Sequence, residues 1–204
     1  DCQMRTYDIT DQVVLAAADS VPRELFVPEA RQAVAYVDQP VLIAEASGGK
    51  AARYLLTPMV AARMLQALGI EAGMSVLDYA GGTGYSAALA AHMGARVTLW
   101  EQDATLAGLA VKAFAATASD VAVVTKSPNG TFDVILVNGA CETPPANLFT
   151  LLKVGGRLAA IEGSGRSARV ILYQRYGDGV SGRPVFDAAA PVLDEYRAPA
   201  AFAF

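Results

Sequence analysis

The sequence predicts an α/β fold with a doubly wound, mostly parallel sheet and helices on both faces, and three observations support this prediction. Short apolar runs alternate with helical patterns between residues 58 and 162. Strands that alternate with helices form parallel sheets, because a parallel pair needs a crossover connection. A glycine-rich turn follows the first of these strands. At 204 residues and 53% apolar composition, the chain can form one domain with a sizeable core.

Short helices are predicted for the N-terminal part of the chain. Residues 8–18 have a helical pattern, with Asp8 or Thr10 as the capping residue. The stretch "VPRELFVPEARQAVA" then predicts two short helical pieces separated by Pro28, since proline interrupts a helix.

The core follows an irregular or extended segment that has a flexible point at Ser47-Gly48-Gly49. A helix is predicted to start at Pro58, a favourable first-turn residue. Five strands with connecting helices come next, and two further strands form an edge pair at the C-terminal end. The strands are predicted at "SVLDYA", "RVTLWE", "DVAVVT", "FDVILVN", "GRLAAIEG", "ARVILYQRYG" and "GRPVFDA".

Composition and charge exclude several function classes. The net charge is −4 without a run of lysine or arginine, so we predict no binding to nucleic acid. No uninterrupted apolar stretch is long enough for a membrane span. Cys2 and Cys141 are far apart and match no metal-ligand spacing, which predicts no metal site and a reducing, cytoplasmic setting. Small molecules or proteins are the expected partners, and the oligomeric state stays open.

The turn "DYAGGTGY" indicates a ligand that approaches the backbone closely, because glycine has no side chain to obstruct it. A dinucleotide is one candidate. Gly82, Gly84 and Ala87 match the G-x-G-x-x-G/A spacing, and Glu101 ends the next strand, where an acid binds ribose. Glycine spacing alone therefore leaves NAD as an alternative.

Asp78 argues against a pyrophosphate ligand. It lies at the carboxyl end of the strand before the glycines, where a carboxylate and a pyrophosphate would repel each other. A ligand with an ammonium and a sulfonium group would be attracted instead. The pattern "LDYAGGTG" resembles the first motif of the Rossmann-like methyltransferases, which implies S-adenosylmethionine as the cofactor.

This resemblance assigns roles to residues around the glycine turn. Asp78 is expected near the amino group of the cofactor, and Glu101 is expected to accept bonds from the ribose hydroxyls. Tyr85 either closes over the cofactor or packs between helix and sheet, and Asn138 is expected to contact the cofactor or the methyl acceptor. The loop around the methionine moiety is Ala80, Gly81, Gly82 and Gly84, with Ala80 standing where the family most often has glycine.

The resemblance covers most of the chain. The stretches "VPRELFVPEA…AYVDQPVLI" and "FDVILVNGACETPPANLFTLLKVGGRLAAIEG" are similar to those of protein-L-isoaspartate O-methyltransferases. That family methylates the carboxylate of isoaspartyl residues in damaged proteins, which implies proteins or peptides as substrates. Residues 1–57 would be the substrate-side segment and residues 58–204 the cofactor-binding core of a single domain. Such a carboxylate is ionised at neutral pH, so alignment of the reactants suffices and no strong base is needed.

The segment before the core helix departs from the family pattern. Family members have a loop similar to "GQTISQP", whereas this sequence has "ARYLLTP". Leu56 stands at the position of the family's serine, so Tyr54 and Thr57 are the hydroxyls expected to face the methyl donor. Thr57 is equally well explained as a helix N-cap. Arg53 or Lys50 is a candidate to pair with an acceptor carboxylate.

A second departure follows the third core strand. The family has "GDG" there, with an acid that binds the adenine amino group, whereas this sequence has "TKSPNG". Ser127 or backbone groups would have to hold the adenine. The two departures leave two alternatives open beside the isoaspartyl hypothesis: the same fold with another methyl acceptor, or a cofactor-binding protein without catalysis. An NAD-dependent oxidoreductase is a more distant alternative.

Overall fold

The structure is a computed structural model that describes Met4, Thr6, residues 8–177 and residues 179–199. A seven-stranded sheet forms its centre, and a two-stranded hairpin precedes it in the chain. The helices are α1 (Gln12–Ser20), α2 (Pro58–Leu68), α3 (Tyr85–His92), α4 (Ala104–Thr117) and the single turn α5 (Ala146–Phe149). The strands are β1 (Val41–Ala44), β2 (Arg53–Leu55), β3 (Ser75–Tyr79), β4 (Arg96–Trp100), β5 (Val121–Val124), β6 (Phe132–Cys141), β7 (Leu152–Glu162), β8 (Arg169–Tyr176) and β9 (Gly179–Asp187).

The strand order of the large sheet is β5-β4-β3-β6-β7-β8-β9. Neighbouring strands from β5 to β7 are parallel, and β8 and β9 add to β7 as antiparallel strands. The predicted α/β fold and the predicted C-terminal strand pair are thus confirmed. The strand order reverses between β3 and β6, where an open α/β sheet has its ligand crevice.

The two faces of the sheet are covered unequally. Val76 packs into one core cluster and Leu77 into the other, as expected for alternating side chains of a buried strand. The first cluster contains residues from helices α1 to α4, whereas the second contains Leu148 of α5 and Tyr196 of a C-terminal 3-10 turn. Helices therefore lie on both faces, as predicted, but the four longer ones share one face. Within the described residues, no helix has the length and apolar character of a membrane span.

Helix α1 begins later than the sequence pattern indicates. Its N-cap is Asp11, whose Oδ1 accepts from the N–H groups of Val13 and Val14 at 2.8 and 3.3 Å. The prediction of Asp8 or Thr10 as the cap was wrong. The side chain of Gln66 on α2 holds this segment outside the helix, because it accepts from the N–H groups of Thr10 and Asp11 and donates to the carbonyl of Asp8.

Two 3-10 turns flank Pro28, as predicted for the stretch after α1. Arg23 of the first turn is fully buried, and burial lowers the pKa of its guanidinium. It donates to the carbonyls of Ala35 and Leu56 at 2.6 Å each and lies 4.7 Å from the ring centre of Tyr85. This buried cation therefore fixes the chain just before α2.

The segment predicted to be irregular or extended forms the β1–β2 hairpin. Leu42 pairs with Tyr54 in antiparallel register, and Ser47 bridges to Lys50 at the tip. Gly48 and Gly49 both have positive φ there, which a tight turn requires and glycine allows. The hairpin carries two of the residues that the sequence predicts for the site, Tyr54 and its neighbour Arg53.

Candidate functional site

A cavity of about 660 Å³ opens beside the carboxyl ends of β3, β4 and β6. Its position is the ligand crevice of open α/β sheets, and its volume is typical of small-molecule sites. Three parts of the chain form the wall: the β1–β2 hairpin, the strand ends with the start of α4, and residues 191–195 of the C-terminal segment. Of the predicted site residues, the lining includes Tyr54, Leu56, Ala80, Glu101 and Asn138.

Several other predicted site residues lie outside this lining. Thr57 caps α2, where its Oγ1 accepts from the N–H of Val60 at 3.2 Å. Tyr85 is buried between Arg23 and Phe26, so it packs inside the fold rather than closing over the cavity. The lining also leaves out Asp78, Gly81, Gly82 and Gly84. Ser127 lines a separate depression formed by residues 122–132.

Ser127, which is expected to hold the adenine, does not line this cavity. The chain after β5 turns away from the cavity and runs as a loop toward the start of β6. Gln102, directly after β4, and Leu106, on α4, line the cavity.

Glu101 is the most strongly held side chain of the site. It follows β4 directly and is fully buried. Its Oε1 accepts from Nη1 of Arg53 and from the N–H of Asp103, both at 3.0 Å. Its Oε2 accepts from Nη2 of Arg53 and from the N–H of Gly82, both at 2.8 Å. The carboxylate thus joins the glycine loop, the start of α4 and the hairpin.

The loop glycines are required by packing within the protein as well as by any ligand. A Cβ on Gly81 would lie 2.1 Å from Oδ2 of Asp78, and one on Gly82 would lie 2.4 Å from Cδ1 of Ile43. Gly82 and Gly84 also have positive φ. Ala80 adopts positive φ as well, at 54°, a conformation that glycine takes more readily than alanine.

Asp78 lies beneath the loop and reaches the cavity through Asn138. Its Oδ1 accepts from Nδ2 of Asn138 at 2.6 Å, and Asn138 lines the cavity and accepts from the hydroxyl of Ser86. Oδ2 of Asp78 has no hydrogen-bond partner among the residues that the structure describes. Burial, assisted by the charge of Glu101 and opposed by the bond from Asn138, raises the pKa of Asp78 to about 7. Asp78 thus reaches the cavity through Asn138 and does not line it itself, and its expected role near an amino group stays a prediction.

The raised pKa of Asp78 predicts a pH dependence of stability. A carboxyl group whose pKa is higher in the folded than in the unfolded state stabilises the fold below its unfolded pKa, and this contribution is lost as the pH rises through 7. Asp78→Asn removes the titration. We expect the free energy of unfolding of the unmodified protein, relative to Asp78→Asn, to fall by about 2 kcal/mol between pH 5 and 7.

Urea unfolding of both proteins at a series of pH values measures this difference. Asp19→Asn, at an exposed position near the end of α1, is the matched control. Parallel stability curves for Asp78→Asn and the unmodified protein would show that Asp78 is ionised in the fold at pH 5.

Acidic side chains outnumber basic ones around the cavity by five to two. The basic residues are Arg53 and Lys50, and Lys50 pairs with Asp103 at 3.1 Å while remaining 72% exposed. Such a wall attracts a cationic ligand and disfavours a pyrophosphate. The acidic residues are Glu45, Glu101, Asp103, Asp194 and Glu195.

The site also contains residues that sequence reasoning missed. Tyr79 and Trp100, at the ends of β3 and β4, line the cavity and make a T-shaped contact with ring centres 4.9 Å apart. The C-terminal segment closes one side: Asp194 accepts from the N–H of Ala51 at 2.8 Å, and Glu195 accepts from the hydroxyl of Tyr79 at 2.9 Å. The two aromatic residues flank predicted acids in the sequence, but no local pattern indicates the C-terminal wall.

Other reactive side chains do not suggest a separate chemistry. Cys141 is buried, and burial raises the pKa of its thiol to about 12, so it is not a thiolate nucleophile. His92 lies at the end of α3, outside the cavity lining. Within the described part of the chain, no group of three or more histidine, cysteine, aspartate or glutamate side chains is arranged to hold a metal ion.

Two solved structures share this fold. A protein-L-isoaspartate O-methyltransferase superposes with a TM-score of 0.78 at 22% identity, over 93% of this chain and 63% of that one. A Plasmodium falciparum structure of the same description, in complex with S-adenosyl-L-homocysteine, has a TM-score of 0.78 at 20% identity and covers 95% of both chains. The chain thus has the Rossmann-like methyltransferase fold, with a cavity at its strand reversal.

Sequence comparison identifies the family within that class. The family model described as Protein-L-isoaspartate(D-aspartate) O-methyltransferase matches residues 2–186. Protein-L-isoaspartate O-methyltransferase 1 of Rhodopseudomonas palustris is 33% identical over 174 residues, or 82% of this chain and 69% of the relative. The enzyme of Koribacter versatilis is 35% identical over 171 residues, or 80% and 74%. The chain belongs to the protein-L-isoaspartate (D-aspartate) O-methyltransferase family, as its resemblance predicted.

Proposed function

We propose that this protein transfers a methyl group from S-adenosylmethionine to the carboxylate of L-isoaspartyl residues in proteins and peptides. The observation that carries the proposal is the buried carboxylate of Glu101 beside the glycine loop, at the crevice of a chain that belongs to this family. The isoaspartyl substrate rests on the family. We further propose a cytoplasmic location, which the distant cysteines support.

The residues around the cavity fit this cofactor. Its positive charge suits a wall with an excess of carboxylates, and its ribose hydroxyls suit Glu101. We propose that Asn138 binds the polar amino-acid end, which is supported by its position in the cavity lining and its hydrogen bond to Asp78. Trp100 and Leu106 provide apolar wall area for a flat ring. The cofactor supplies an electrophilic methyl group on a positively charged sulfur.

The chain contributes positioning rather than proton transfer. An ionised acceptor carboxylate is itself the nucleophile: an oxygen lone pair forms the new bond to the methyl carbon while the carbon–sulfur bond breaks. No proton has to move in this step, which agrees with a cavity lined by no histidine. We propose that Tyr54 and Leu56, which border the cavity from the hairpin side, orient the acceptor, whereas Thr57 caps a helix.

A methyl-transfer assay with labelled S-adenosylmethionine tests the proposal. The substrates are two peptides that differ only in one aspartyl or isoaspartyl residue, and a parallel titration measures binding of S-adenosyl-L-homocysteine. Transfer to the isoaspartyl peptide alone is the expected result. Tight cofactor binding without transfer to either peptide would contradict the isoaspartyl assignment and favour a different methyl acceptor, the second candidate function. That candidate is supported by the apolar Leu56 in the cavity wall.

Leu56 provides a direct test of the acceptor side. It is 4% exposed and occupies the position where the family pattern has serine. We expect Leu56→Ser to raise kcat/KM for the isoaspartyl peptide by about tenfold, because a hydroxyl there can donate one additional hydrogen bond to the acceptor carboxylate. Leu56→Ala is the matched control, since it removes the same apolar volume without adding a hydroxyl. Equal activities of the serine and alanine variants would contradict the expectation.

A further inference from the structure

The carboxylate expected to bind ribose has no free acceptor position in this structure. A carboxylate offers about four lone-pair positions. In Glu101, Arg53 fills two of them, and the N–H groups of Gly82 and Asp103 fill the others. The two N–H donors belong to the main chain of the glycine loop and of the turn into α4. A ribose can therefore bind Glu101 only by displacing the side chain of Arg53.

Arg53 is suited to such a displacement. It lies on the hairpin, which forms a sheet of its own rather than joining the central sheet. Its side chain is 23% exposed, the residue lines the cavity, and its guanidinium donates a further bond to the carbonyl of Ala80 at 2.8 Å. The hydrogen bonds that hold the side chain are thus made by its tip, and the long stem of an arginine allows the tip to take other positions.

When ribose displaces Arg53 from Glu101, the guanidinium of Arg53 stays at the cavity wall and needs another anionic partner. Arg53 and Lys50 are the cations among the lining residues, and Lys50 is mostly exposed and already pairs with Asp103. An acceptor carboxylate entering this acid-rich cavity needs a cation to offset repulsion. A guanidinium binds a carboxylate through two parallel hydrogen bonds, which also fixes its orientation.

We propose that Arg53 holds Glu101 in the free protein, is displaced by the ribose of the cofactor, and then binds the carboxylate of the methyl acceptor. Donor binding thereby creates the acceptor site, and the protein binds its two substrates in order. This inference rests on the proposed function for the identity of the acceptor, whereas the competition between Arg53 and ribose for Glu101 does not depend on the acceptor.

Arg53→Gln tests both halves of the proposal. We expect the variant to bind S-adenosyl-L-homocysteine about three- to tenfold more tightly, because Glu101 loses its competitor. We expect its KM for the isoaspartyl peptide to rise about ten- to a hundredfold, because a charge-assisted pair with the acceptor is lost. Calorimetry and steady-state kinetics measure the two effects, whose opposite signs a merely structural role of Arg53 would not produce.

Two further variants serve as comparisons. Arg53→Lys keeps the charge without the two-pronged geometry and should recover part of the KM effect. Arg183→Gln makes the same charge change at an exposed position on β9, away from the cavity lining, and should alter neither quantity. Thermal unfolding of the ligand-free proteins shows whether each variant is folded.

The outcomes separate this inference from the proposed function. Weaker binding of S-adenosyl-L-homocysteine by Arg53→Gln would overturn the competition, and an unchanged KM would overturn the acceptor role. Absence of transfer by the unmodified protein would overturn the isoaspartyl assignment and the acceptor role together. Even then, the titration of S-adenosyl-L-homocysteine decides whether Arg53 competes with ribose.

Discussion

Glu101→Gln is expected to weaken the binding of S-adenosyl-L-homocysteine by about a hundredfold. Glu101 is fully buried at the end of β4, and a carboxylate there can accept from both ribose hydroxyls. Each hydrogen bond to a charged group contributes about 1.5–3 kcal/mol, and glutamine of the same shape retains only one acceptor oxygen. Isothermal titration calorimetry at constant pH and ionic strength measures the loss.

The control for Glu101→Gln is another acid of the same cavity. Glu45 lines the wall from the hairpin but is exposed, so Glu45→Gln makes the same charge change without removing a buried acceptor. We expect it to alter the affinity by less than about threefold, because exposed charges are screened by solvent. Similar losses in the two variants would mean that the net charge of the cavity, rather than ribose binding by Glu101, determines affinity.

Gly84→Ala is expected to destabilise the fold by about 2–5 kcal/mol. Gly84 has a φ of 91°, and a Cβ at this position would lie 2.3 Å from the ring of Phe114 on α4. Left-handed backbone costs an alanine about 1–2 kcal/mol, and overpacking of a core adds about 1–3 kcal/mol. Urea unfolding monitored by circular dichroism measures the change in the free energy of unfolding.

Gly108→Ala is the matched comparison. Gly108 lies in the same helix that carries Phe114, at an exposed position where an added Cβ meets no atom within 4 Å. Alanine has the higher helix propensity, so we expect this variant to be more stable than the unmodified protein by up to about 1 kcal/mol. Equal stabilities of the two variants would contradict the claim that packing against Phe114 requires glycine at position 84.

Local sequence patterns were sufficient to predict most of the fold. Strands β3 to β7 are short apolar runs that end in turns, and their alternation with helices indicated a parallel sheet. Thr57 and Pro58 indicated the start of α2, because a helix cap and a first-turn proline act on residues that are close in sequence. The glycine turn and the acid at the end of the next strand also indicated where the crevice lies. Each of these features can be recognised from a few consecutive residues.

Contacts between distant parts of the chain explain what the sequence did not indicate. Gln66 determines where α1 starts, although it lies in α2. Arg53 and Glu101 pair across 48 positions, and each alone is an ordinary charged residue at a strand end. Ser127 lies outside the cavity lining, and no local pattern shows which way a loop turns after its strand. The arrangement of side chains in the site therefore depends on contacts between residues that are distant in sequence.

The hydrogen bond between Ala51 and Asp194 bears on the order in which the parts of the cavity form during synthesis. Their hydrogen bond joins the hairpin to the C-terminal segment at the rim of the cavity, across 143 positions of the chain. Chains emerge from the ribosome with their N-terminal part first. The glycine loop and Glu101 are thus synthesised well before the last wall of the cavity exists. A growing chain has an open crevice, and the enclosure is complete only after Asp194 has been synthesised and has bound Ala51.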